Sequence, residues 1–380
     1  QFQLCIIDSI WYIISPDLST NDRSKMGISG GMTPDNIGVE YCCVIYAFDE
    51  SPVDEKVLWA GTNDGLVHVS RDGGKSWKDV TKNIPGLPPL GTVRNIDASK
   101  WDAGKAYITV DFHQVGSFEP HVYKTENYGR RWKKITKGIP SSTLSYARNV
   151  REDPIREGLL YLGTENALYI SFNDGADWQP FMNNMPASPM YWLVVQEEFN
   201  DLVVGTYGRG IWILDDLTPL QQLTKKVADS QAHLFEPRKA YRFRPKTAPF
   251  TMFDDPSAGE NPPTGASINY WLKNASDDSM TIKISDRDGT LIRTLKGTSK
   301  AGINRVWWDL HGEPSTRIIM RTKPLYADWV KLDENGTRDA SVGRISVLAP
   351  PGSYNLVLES AGVTSNQTLK EVKDPDSEGN

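Results

Sequence analysis

A turn pattern, (Ser/Thr)-x-(Asp/Asn)-x-Gly-x-x-Trp, occurs three times in this sequence and constrains the fold more than any other feature. The copies read SRDGGKSW, TENYGRRW and SFNDGADW. About fifty residues separate one copy from the next, which is the spacing of a repeat architecture. The positions that define the pattern are Ser70, Asp72, Gly74 and Trp77, then Thr125, Asn127, Gly129 and Trp132, then Ser171, Asn173, Gly175 and Trp178.

The residue types in this pattern predict a structural turn. An Asp or Asn side chain accepts hydrogen bonds from nearby backbone N–H groups, a Ser or Thr hydroxyl adds a second local acceptor, and Gly supplies a positive φ. The Trp ring buries apolar area between sheets. The residue after the Gly changes from Lys75 to Arg130 to Ala176, whereas a catalytic group would have to stay the same. We therefore interpret the pattern as scaffold.

Runs of β-branched, aromatic and aliphatic residues precede each turn and predict β-strands. Pairs of such runs joined by a short polar or Gly-containing break are typical of hairpins, and a further apolar run lies upstream of each pair. Units of about four strands that repeat every forty to fifty residues are typical of β-propeller blades. The sequence thus predicts an all-β protein, with a partial propeller of about four blades over residues 1–223. The hairpin runs are VLWAGTNDGLVHVS, AYITVDFH with HVYKT, LLYLGTENALYIS and DLVVGTYGRGIWIL.

The three turns resemble Asp-boxes, the bacterial neuraminidase repeats of sialidases, xyloglucanases, sortilin-type receptors and photosystem assembly propellers. Over residues 11–223, segments such as WYIISPDLSTND, GVEYCCVIYAFDESP and VVGTYGRGIWILDDLTPL are most similar to large bacterial exported proteins described as glycosyl-hydrolase-like or sortilin-like. This resemblance implies a propeller fold and suggests carbohydrate processing. Asp-boxes predict the fold far better than they predict the substrate.

The predicted propeller is incomplete at its N-terminal side. Trp11 and the following ISPDLST resemble the tail of an earlier blade whose own turn is missing. A stack of sheets that does not close into a ring exposes an apolar face and strand edges. We therefore expect either upstream sequence or another chain to complete the ring.

A second domain is expected after the propeller. Thr218 is predicted as the N-cap of a short helix, with Pro219 at its first position, and residues 224–264 continue as helix and Pro-rich linker. Residues 265–373 contain short alternating strands, with DRDG as a hairpin turn, and predict an Ig-like or fibronectin-like β-sandwich. This part resembles the flagellar-hook-capping type of Ig-like domain, and residues 374–380 are a polar tail.

Charge and composition argue against several functions. Asp and Glu number 48 against 42 Lys and Arg, and no basic run is interleaved with aromatic residues, so nucleic acid is not expected as a partner. The longest apolar stretch, CIIDSIWYIIS, is too short to span a membrane. The three cysteines lack zinc or redox spacing, and His113 and His121 lack a third ligand. We therefore expect neither a metal nor a cofactor.

Asp35, Glu40 and Asp111 are the candidate catalytic residues, because they flank predicted inner strands and glycoside hydrolysis needs two carboxyl groups. Asp111 also opens a long loop, VDFHQVGSFEPH, and the loops on one face of a propeller usually carry its function. His113 in this loop is a candidate for substrate binding. The alternatives are structural: a turn at Asp35, an exposed strand position at Glu40 and a hydrogen-bonded Asp111.

The stretch GTYGRGIWILDD contains two further candidate substrate-binding residues, Tyr207 and Arg209. The flanking glycines allow a close backbone approach, and the Arg209 guanidinium would reach a substrate carboxylate. The alternative is an ion pair between Arg209 and Asp215 or Asp216 that fastens the last blade.

Arg94 and Arg148 also occupy rim positions suited to a sialidase-like arginine set, although the arginine motif of an early sialidase blade is absent. The leading hypothesis is an exported protein, extracellular or periplasmic, that processes or binds carbohydrate on the loop face of the propeller. The alternatives are a non-catalytic sortilin-like module that binds a protein or peptide, and a structural subunit of a cell-envelope assembly. Whether the protein is an enzyme stays open, and glycoside hydrolysis is the activity that the resemblance implies.

Overall fold

The computed structural model describes residues 4–7, 10–25, 42–243, 259–276, 280–340, 343–360 and 362–375. The chain divides into two compact units, Gln1–Asp215 (unit 1) and Asp216–Asn380 (unit 2). Both are built mainly from antiparallel sheets, which confirms the all-β class predicted from the sequence. Within the described residues, no helix is long and apolar enough to cross a membrane.

Unit 1 is a series of antiparallel meanders. Its strands are β1 (Leu4–Ile7), β2 (Ile10–Ile13), β3 (Ile45–Glu50), β4 (Leu58–Thr62), β5 (Val67–Ser70), β6 (Lys78–Asp79), β7 (Thr92–Ala98), β8 (Ala106–Asp111), β9 (His121–Thr125), β10 (Trp132–Lys134), β11 (Ala147–Glu152), β12 (Leu160–Thr164), β13 (Leu168–Ser171), β14 (Gln179–Pro180), β15 (Met190–Gln196), β16 (Asp201–Thr206) and β17 (Ile211–Leu214). After the β1–β2 hairpin they form sheet A (β3 to β6), sheet B (β7 to β10), sheet C (β11 to β14) and sheet D (β15 to β17), each in sequence order. In the described part of unit 1, the short 3₁₀ helices Arg23–Lys25, Thr81–Asn83 and His113–Val115 lie between strands.

The second strands of sheets A, B and C lie in the interior of unit 1. Every residue of β4, β8 and β12 is buried. A strand that is covered on both faces has a continuous apolar run instead of an alternating one. Trp59, Tyr107 and Tyr161, one from each strand, are fully buried. Consecutive four-stranded meanders packed in this way have the construction of β-propeller blades.

The repeated turn connects the third and fourth strands of sheets A, B and C, and its side chains bond to its own backbone. Gly74 N donates to Ser70 Oγ at 2.9 Å, and Ser76 N donates to Asp72 Oδ1 at 2.9 Å. Hydrogen bonds from the Ser76 hydroxyl and backbone lower the pKa of Asp72 to about 2. The same two bonds in the other turns are Gly129 N to Thr125 Oγ1 (3.1 Å), Arg131 N to Asn127 Oδ1 (2.8 Å), Gly175 N to Ser171 Oγ (3.0 Å) and Asp177 N to Asn173 Oδ1 (2.9 Å).

The glycine and the tryptophan of the turn contact the preceding segment of the stack. A Cβ on Gly74 would lie 2.4 Å from the carbonyl oxygen of Ile14, and Trp77 Nε1 donates to that oxygen at 2.9 Å. The segment that follows β2 therefore packs on sheet A in the same way as the segment that follows β10 packs on sheet C. In sheet C, a Cβ on Gly175 would lie 2.5 Å from the Ile135 side chain. Trp178 Nε1 donates to the Ile135 carbonyl at 2.8 Å.

Side chains of the first strands connect one sheet to the next. Ala98 N donates to Asp49 Oδ2 at 2.7 Å, and Glu152 N donates to Asp97 Oδ2 at 2.7 Å. Burial raises the pKa of Asp97 to about 6. Because these acceptors are largely buried and satisfy backbone donors of the neighbouring sheet, they fix how adjacent sheets align. Two asparagines act in the same way: Asn95 accepts from Val150 N (2.9 Å) and Asn149 accepts from Leu193 N (3.2 Å).

Unit 2 begins with two short helices and continues as sheets. Its elements are α1 (Thr218–Gln222), α2 (Lys225–Asp229), β18 (Ala232–Leu234), β19 (Ala240–Arg242), β20 (Ala266–Leu272), β21 (Met280–Ser285), β22 (Leu291–Gly297), β23 (Gly302–Trp308), β24 (Ile319–Met320), β25 (Arg338–Asp339), β26 (Gly352–Ser360) and β27 (Val363–Lys373). One sheet has the order β18-β20-β23 and a second has the order β19-β27-β26-β21-β22. The pair β24 and β25 forms a separate two-stranded sheet between β23 and β26 in the chain.

The two larger sheets of unit 2 share one apolar core. Trp308 is fully buried there, its ring packs edge-on against Tyr354 at 5.0 Å, and its Nε1 donates to the His311 carbonyl at 2.8 Å. The neighbouring Trp307 is only half-buried, as strand alternation requires. The Ig-like identity of this sandwich stays a prediction.

The start of α1 differs from the expectation that Thr218 is its N-cap. The helix already includes Thr218, Leu217 occupies the cap position without a side-chain bond, and Pro219 lies in the first turn. The Thr218 hydroxyl instead donates to Asp216 Oδ1. The Thr218 hydroxyl, which was expected to cap the helix, is therefore hydrogen-bonded to the buried carboxylate of Asp216 just before the helix.

Replacing Gly74 with alanine tests the packing of the repeated turn. Gly73 and Gly74 both have positive φ, at 71° and 87°, but a Cβ on Gly73 meets no atom within 4 Å. We expect Gly73→Ala to lower the free energy of unfolding by about 1 kcal/mol through backbone strain alone. Gly74→Ala should lower it by about 2 kcal/mol more, because the methyl group overlaps the Ile14 carbonyl.

Urea denaturation of the two variants, followed by tryptophan fluorescence, measures this difference. Gly73→Ala is the matched control for strain. Equal losses in both variants would show that Gly74 does not pack on Ile14.

Candidate functional site

Each of the four first strands has a β-bulge at the same place in its sheet. The register shifts at Tyr46 in β3, Arg94 in β7, Arg148 in β11 and Tyr191 in β15. A bulge adds an unpaired residue and turns its side chain in a new direction. These four side chains, together with Trp192, line one cavity of about 40 Å³. We call this cavity the bulge pocket.

Arg94 is anchored from two sides of the bulge pocket. Its Nη1 donates to Tyr46 Oη at 2.5 Å, and its Nε donates to Asp111 Oδ2 at 3.2 Å. Burial by itself lowers the pKa of Arg94, but the oxygens of Tyr46 and Asp111 outweigh that effect and hold the pKa above its ordinary value. Arg94 therefore presents a fixed positive charge.

Arg148 supplies the second guanidinium of the bulge pocket. Its Nε donates to Glu165 Oε2 at 2.5 Å, and its guanidinium carbon lies 5.2 Å from the Tyr146 ring centroid and 5.1 Å from that of Tyr191. The Arg94 guanidinium lies 5.7 Å from the same Tyr191 ring. Burial, followed by the hydrogen bond to Glu165, raises the pKa of Tyr146. The structure thus places two cations against one aromatic ring.

Asp111 lies beside the pocket but is enclosed by its partners. His113 N donates to Asp111 Oδ1 at 2.9 Å, and His113 Nδ1 lies 2.7 Å from both carboxylate oxygens. The Asp111 side chain is 2% exposed, and Arg94 bonds the remaining side. The His113 ring stacks on Tyr146, with centroids 4.9 Å apart. This arrangement fits the hydrogen-bonded alternative better than it fits an acid or a nucleophile that faces a substrate.

Tyr207 lies in the turn between β16 and β17 and extends the aromatic surface of the pocket. Its side chain is 74% exposed, and its ring centroid lies 6.1 Å from that of Tyr191. Tyr191 and Trp192 are themselves about half exposed, at 44% and 48%. Three aromatic rings at the mouth of the pocket are thus open to a ligand.

Arg209 lies in the same turn and is exposed. In the described part of the chain its guanidinium forms no ion pair, and its carbonyl accepts from Trp212 Nε1 at 3.0 Å. Asp216 bonds within unit 2, where it accepts from Ser267 at 2.5 Å and from Asn269 at 2.7 Å. Arg209 therefore stays a candidate for ligand binding.

Asp35 and Glu40 lie outside the described residues, so their roles remain predictions. His121 is buried against Phe112, and this burial lowers its pKa to about 4. Its Nδ1 bonds to the Tyr123 hydroxyl at 3.1 Å. Among the residues that the structure describes, no three His, Cys, Asp or Glu side chains are grouped so that they could hold a metal ion.

Five residues that line the bulge pocket or contact its arginines were not singled out from the sequence. They are Tyr46, Tyr146, Glu165, Tyr191 and Trp192. One signal was present: when the repeat units are aligned on their first strands, the triplets IYA, VRN, ARN and MYW share one column. The central letters of these triplets are the four bulged residues. No such signal marks Glu165, which follows β12 and meets Arg148 only in the folded chain.

No protein-family model matches this chain. A segment of 121 residues is 29% identical to the vacuolar protein sorting/targeting protein 10 of Laccaria bicolor, and it covers 32% of this chain and 7% of that protein. The chain therefore corresponds to only a small part of the length of this curated relative.

Similar solved structures include a xyloglucanase of class GH74 from Xanthomonas campestris, with 15% identity, a TM-score of 0.36 and coverage of 45% of this chain and 29% of that chain. Another is YCF48 bound to D1 peptide, with 12% identity, a TM-score of 0.30 and coverage of 85% and 81%. A third is the extracellular domain of a hybrid two component system from B. thetaiotaomicron, with 16% identity, a TM-score of 0.36 and coverage of 56% and 26%. The propeller-like construction of unit 1 is seen in sheets A to D themselves.

Asp111→Asn tests whether Asp111 holds the pocket together. The substitution removes the charge that partners the buried Arg94, and we expect the free energy of unfolding to fall by about 3 kcal/mol. Glu126→Gln is the matched control, because Glu126 is 63% exposed and its ion pair with Lys124 should contribute less than about 1 kcal/mol. Urea unfolding compares the two variants. An unchanged stability of Asp111→Asn would indicate a carboxylate that is free for another role.

Proposed function

We propose that unit 1 is the ligand-binding module of an exported protein, and that its bulge pocket binds a carboxylate-bearing sugar without hydrolysing it. The observation that carries this proposal is the placement of Arg94 and Arg148 against the half-exposed ring of Tyr191. Guanidinium groups bind carboxylates through paired hydrogen bonds, and amphipathic aromatic rings cover the apolar face of a sugar.

Both arginines keep hydrogen-bond donors for a ligand. Arg94 bonds protein groups through Nε and Nη1, and Arg148 does so through Nε and Nη2. A guanidinium has five N–H donors, so each side chain retains at least one nitrogen that bonds to no acceptor among the described residues. Asp111 and Glu165 offset part of the positive charge. We therefore expect moderate affinity that weakens as salt is added.

Binding fits the pocket better than hydrolysis does. Glycoside hydrolysis requires two carboxyl groups that flank the glycosidic bond. The carboxylates beside the bulge pocket are Asp111 and Glu165, and an arginine engages each of them. Their geometry orients the cations, and within the described residues neither carboxylate is left open to protonate a leaving group.

Arg148→Gln tests the sugar-binding role. Isothermal titration calorimetry at low salt would compare trigalacturonate with an uncharged galactose trisaccharide. We expect the intact protein to prefer the uronate, and Arg148→Gln to weaken uronate binding about tenfold, which is the cost of one charged hydrogen bond. Arg287→Gln, which removes an exposed charge in unit 2, is the control for net charge and should bind as the intact protein does. Equal binding of the charged and neutral sugars would contradict the proposal.

A non-catalytic role in peptide binding is the second candidate, and the edge of sheet D favours it. In the described part of the chain β17 pairs only with β16, and Ile211 and Ile213 on it are 73% and 59% exposed. An extended peptide can add a strand to such an edge. The sorting function in the name of the curated relative is consistent with this role. The test is hydrogen exchange of the protein with an acidic nonapeptide. Protection of the β17 amides by the peptide, in a protein that does not bind the uronate, would support this candidate instead.

The exposed side chains of sheet D also support the expectation that a further sheet joins the stack. Val194 occupies the position that Asp97 and Arg151 have in the preceding first strands, and it is 42% exposed. An apolar side chain there suits a covering sheet better than it suits water. We propose that this sheet comes from another part of the protein or from another chain.

A further inference from the structure

A second cavity, of about 170 Å³, lies at the junction of sheets A and B on the side of their fourth strands. It shares no residue with the bulge pocket, which the first strands form. We call it the outer groove. Its lining residues are Val69, Arg71, Ser76, Trp77, Lys78, Tyr128 and Arg130.

The outer groove is a local concentration of positive charge in a chain whose net charge is −6. Within the described residues, Arg71, Lys78 and Arg130 form no ion pair with a carboxylate. The Arg71 guanidinium carbon lies over the Tyr128 ring, 3.9 Å from its centroid, and a guanidinium held against a ring in this way can still donate from its N–H groups. Three cations that have no anionic partner in the described part of the chain favour an anionic ligand.

Among the described residues, the neighbouring carboxylates Asp72 and Asp79 form no ion pair with these cations, and Asp72 bonds within its own turn. Asp72 Oδ1 accepts from Ser76 N at 2.9 Å and from Ser70 Oγ at 2.9 Å, and its Oδ2 accepts from Ser76 Oγ at 2.6 Å. Both of its oxygens are thus engaged in closing the repeated turn.

The walls of the groove are fixed by contacts between the two sheets. Asn83 Nδ2 donates to the Gly129 carbonyl at 2.8 Å, and a Cβ on Gly129 would lie 2.8 Å from the Val80 side chain. These contacts hold the turn that carries Tyr128 and Arg130 against sheet A. The groove is therefore a preformed cavity, as small-molecule sites usually are.

The next junction shows that the scaffold does not require this charge. Between sheets B and C the repeat places two carboxylates and an alanine in the corresponding positions, and one of those carboxylates bonds to Lys124 and Tyr107. The residues that correspond to Arg71, Lys78, Tyr128 and Arg130 there are Glu126, Lys133, Asp174 and Ala176. The positive groove is thus specific to the first junction.

We propose that the outer groove binds a sulfate or phosphate ester carried on a sugar ring. Arg71 and Arg130 would donate hydrogen bonds to the oxygens of the tetrahedral sulfate or phosphate group, and the Lys78 ammonium would attract its negative charge. The cavity has room for several water molecules, more than one small anion fills, and Trp77, Tyr128 and the Ser76 hydroxyl suit a sugar ring. This site is separate from the carboxylate site proposed for the bulge pocket and does not depend on it.

The double variant Arg71→Glu with Arg130→Ala tests the proposal. It copies the residues of the second junction, which the same repeat already tolerates. Calorimetry at low salt would titrate galactose 6-sulfate, galactose 6-phosphate, unmodified galactose and the inorganic anions. We expect one of the two esters to bind at least tenfold more tightly than galactose or the free anion, and the tighter ester identifies the group. The double variant should lose that binding at least tenfold.

Three further variants make the outcome specific. Lys78→Ala should weaken ester binding severalfold even if the double variant unfolds, whereas Lys239→Ala, an exposed charge in unit 2, should leave it unchanged. Arg148→Gln should also leave it unchanged, which separates this site from the bulge pocket.

Ester binding that is unaffected by both groove variants, or no ester binding at millimolar concentration, would overturn the proposal. Free sulfate or phosphate that binds as tightly as the esters would overturn the assignment to a sugar.

Discussion

The alignment of each sheet on its neighbour is the constraint on which the rest of unit 1 depends. Largely or fully buried acceptors such as Asp97 and Asn149 bond to backbone N–H groups of the next sheet, and turn glycines such as Gly175 let the preceding segment of the stack approach within contact distance. A buried N–H without a partner is costly, so these bonds leave one alignment. Every site described above lies where two or more aligned sheets meet.

That alignment explains why single residues on separate strands form a pocket. The bulges at Tyr46, Arg94, Arg148 and Tyr191 recur at one level of the stack, so their side chains converge although they are far apart in sequence. The repeat varies residue type at this level while it keeps the backbone constant. The outer groove obeys the same principle at the fourth strands, where one junction is cationic and the next is not. A scaffold of this kind changes its ligands without changing its fold.

The fold was largely predictable because its determinants are local. Turn residues and strand runs specify each sheet within a few dozen positions, and the repeat shows that the sheets are equivalent. The site was predictable only in part. Arg94, Arg148 and Tyr207 were noted at the rim, but the partner carboxylate Glu165 meets Arg148 through packing that no local pattern encodes. Tyr191 supplies the aromatic ring that both arginines contact, and in sequence it resembles an ordinary strand residue.

A crystal structure of the protein with trigalacturonate bound would test the central claim most directly. The account predicts a uronate carboxylate within hydrogen-bond distance of Arg94 and Arg148, with a sugar ring over Tyr191. It also predicts that Asp111 keeps its bonds to Arg94 and His113 in the complex. Sugar that is ordered elsewhere on unit 1, or side chains of Arg94 and Arg148 that do not share one cavity, would contradict it.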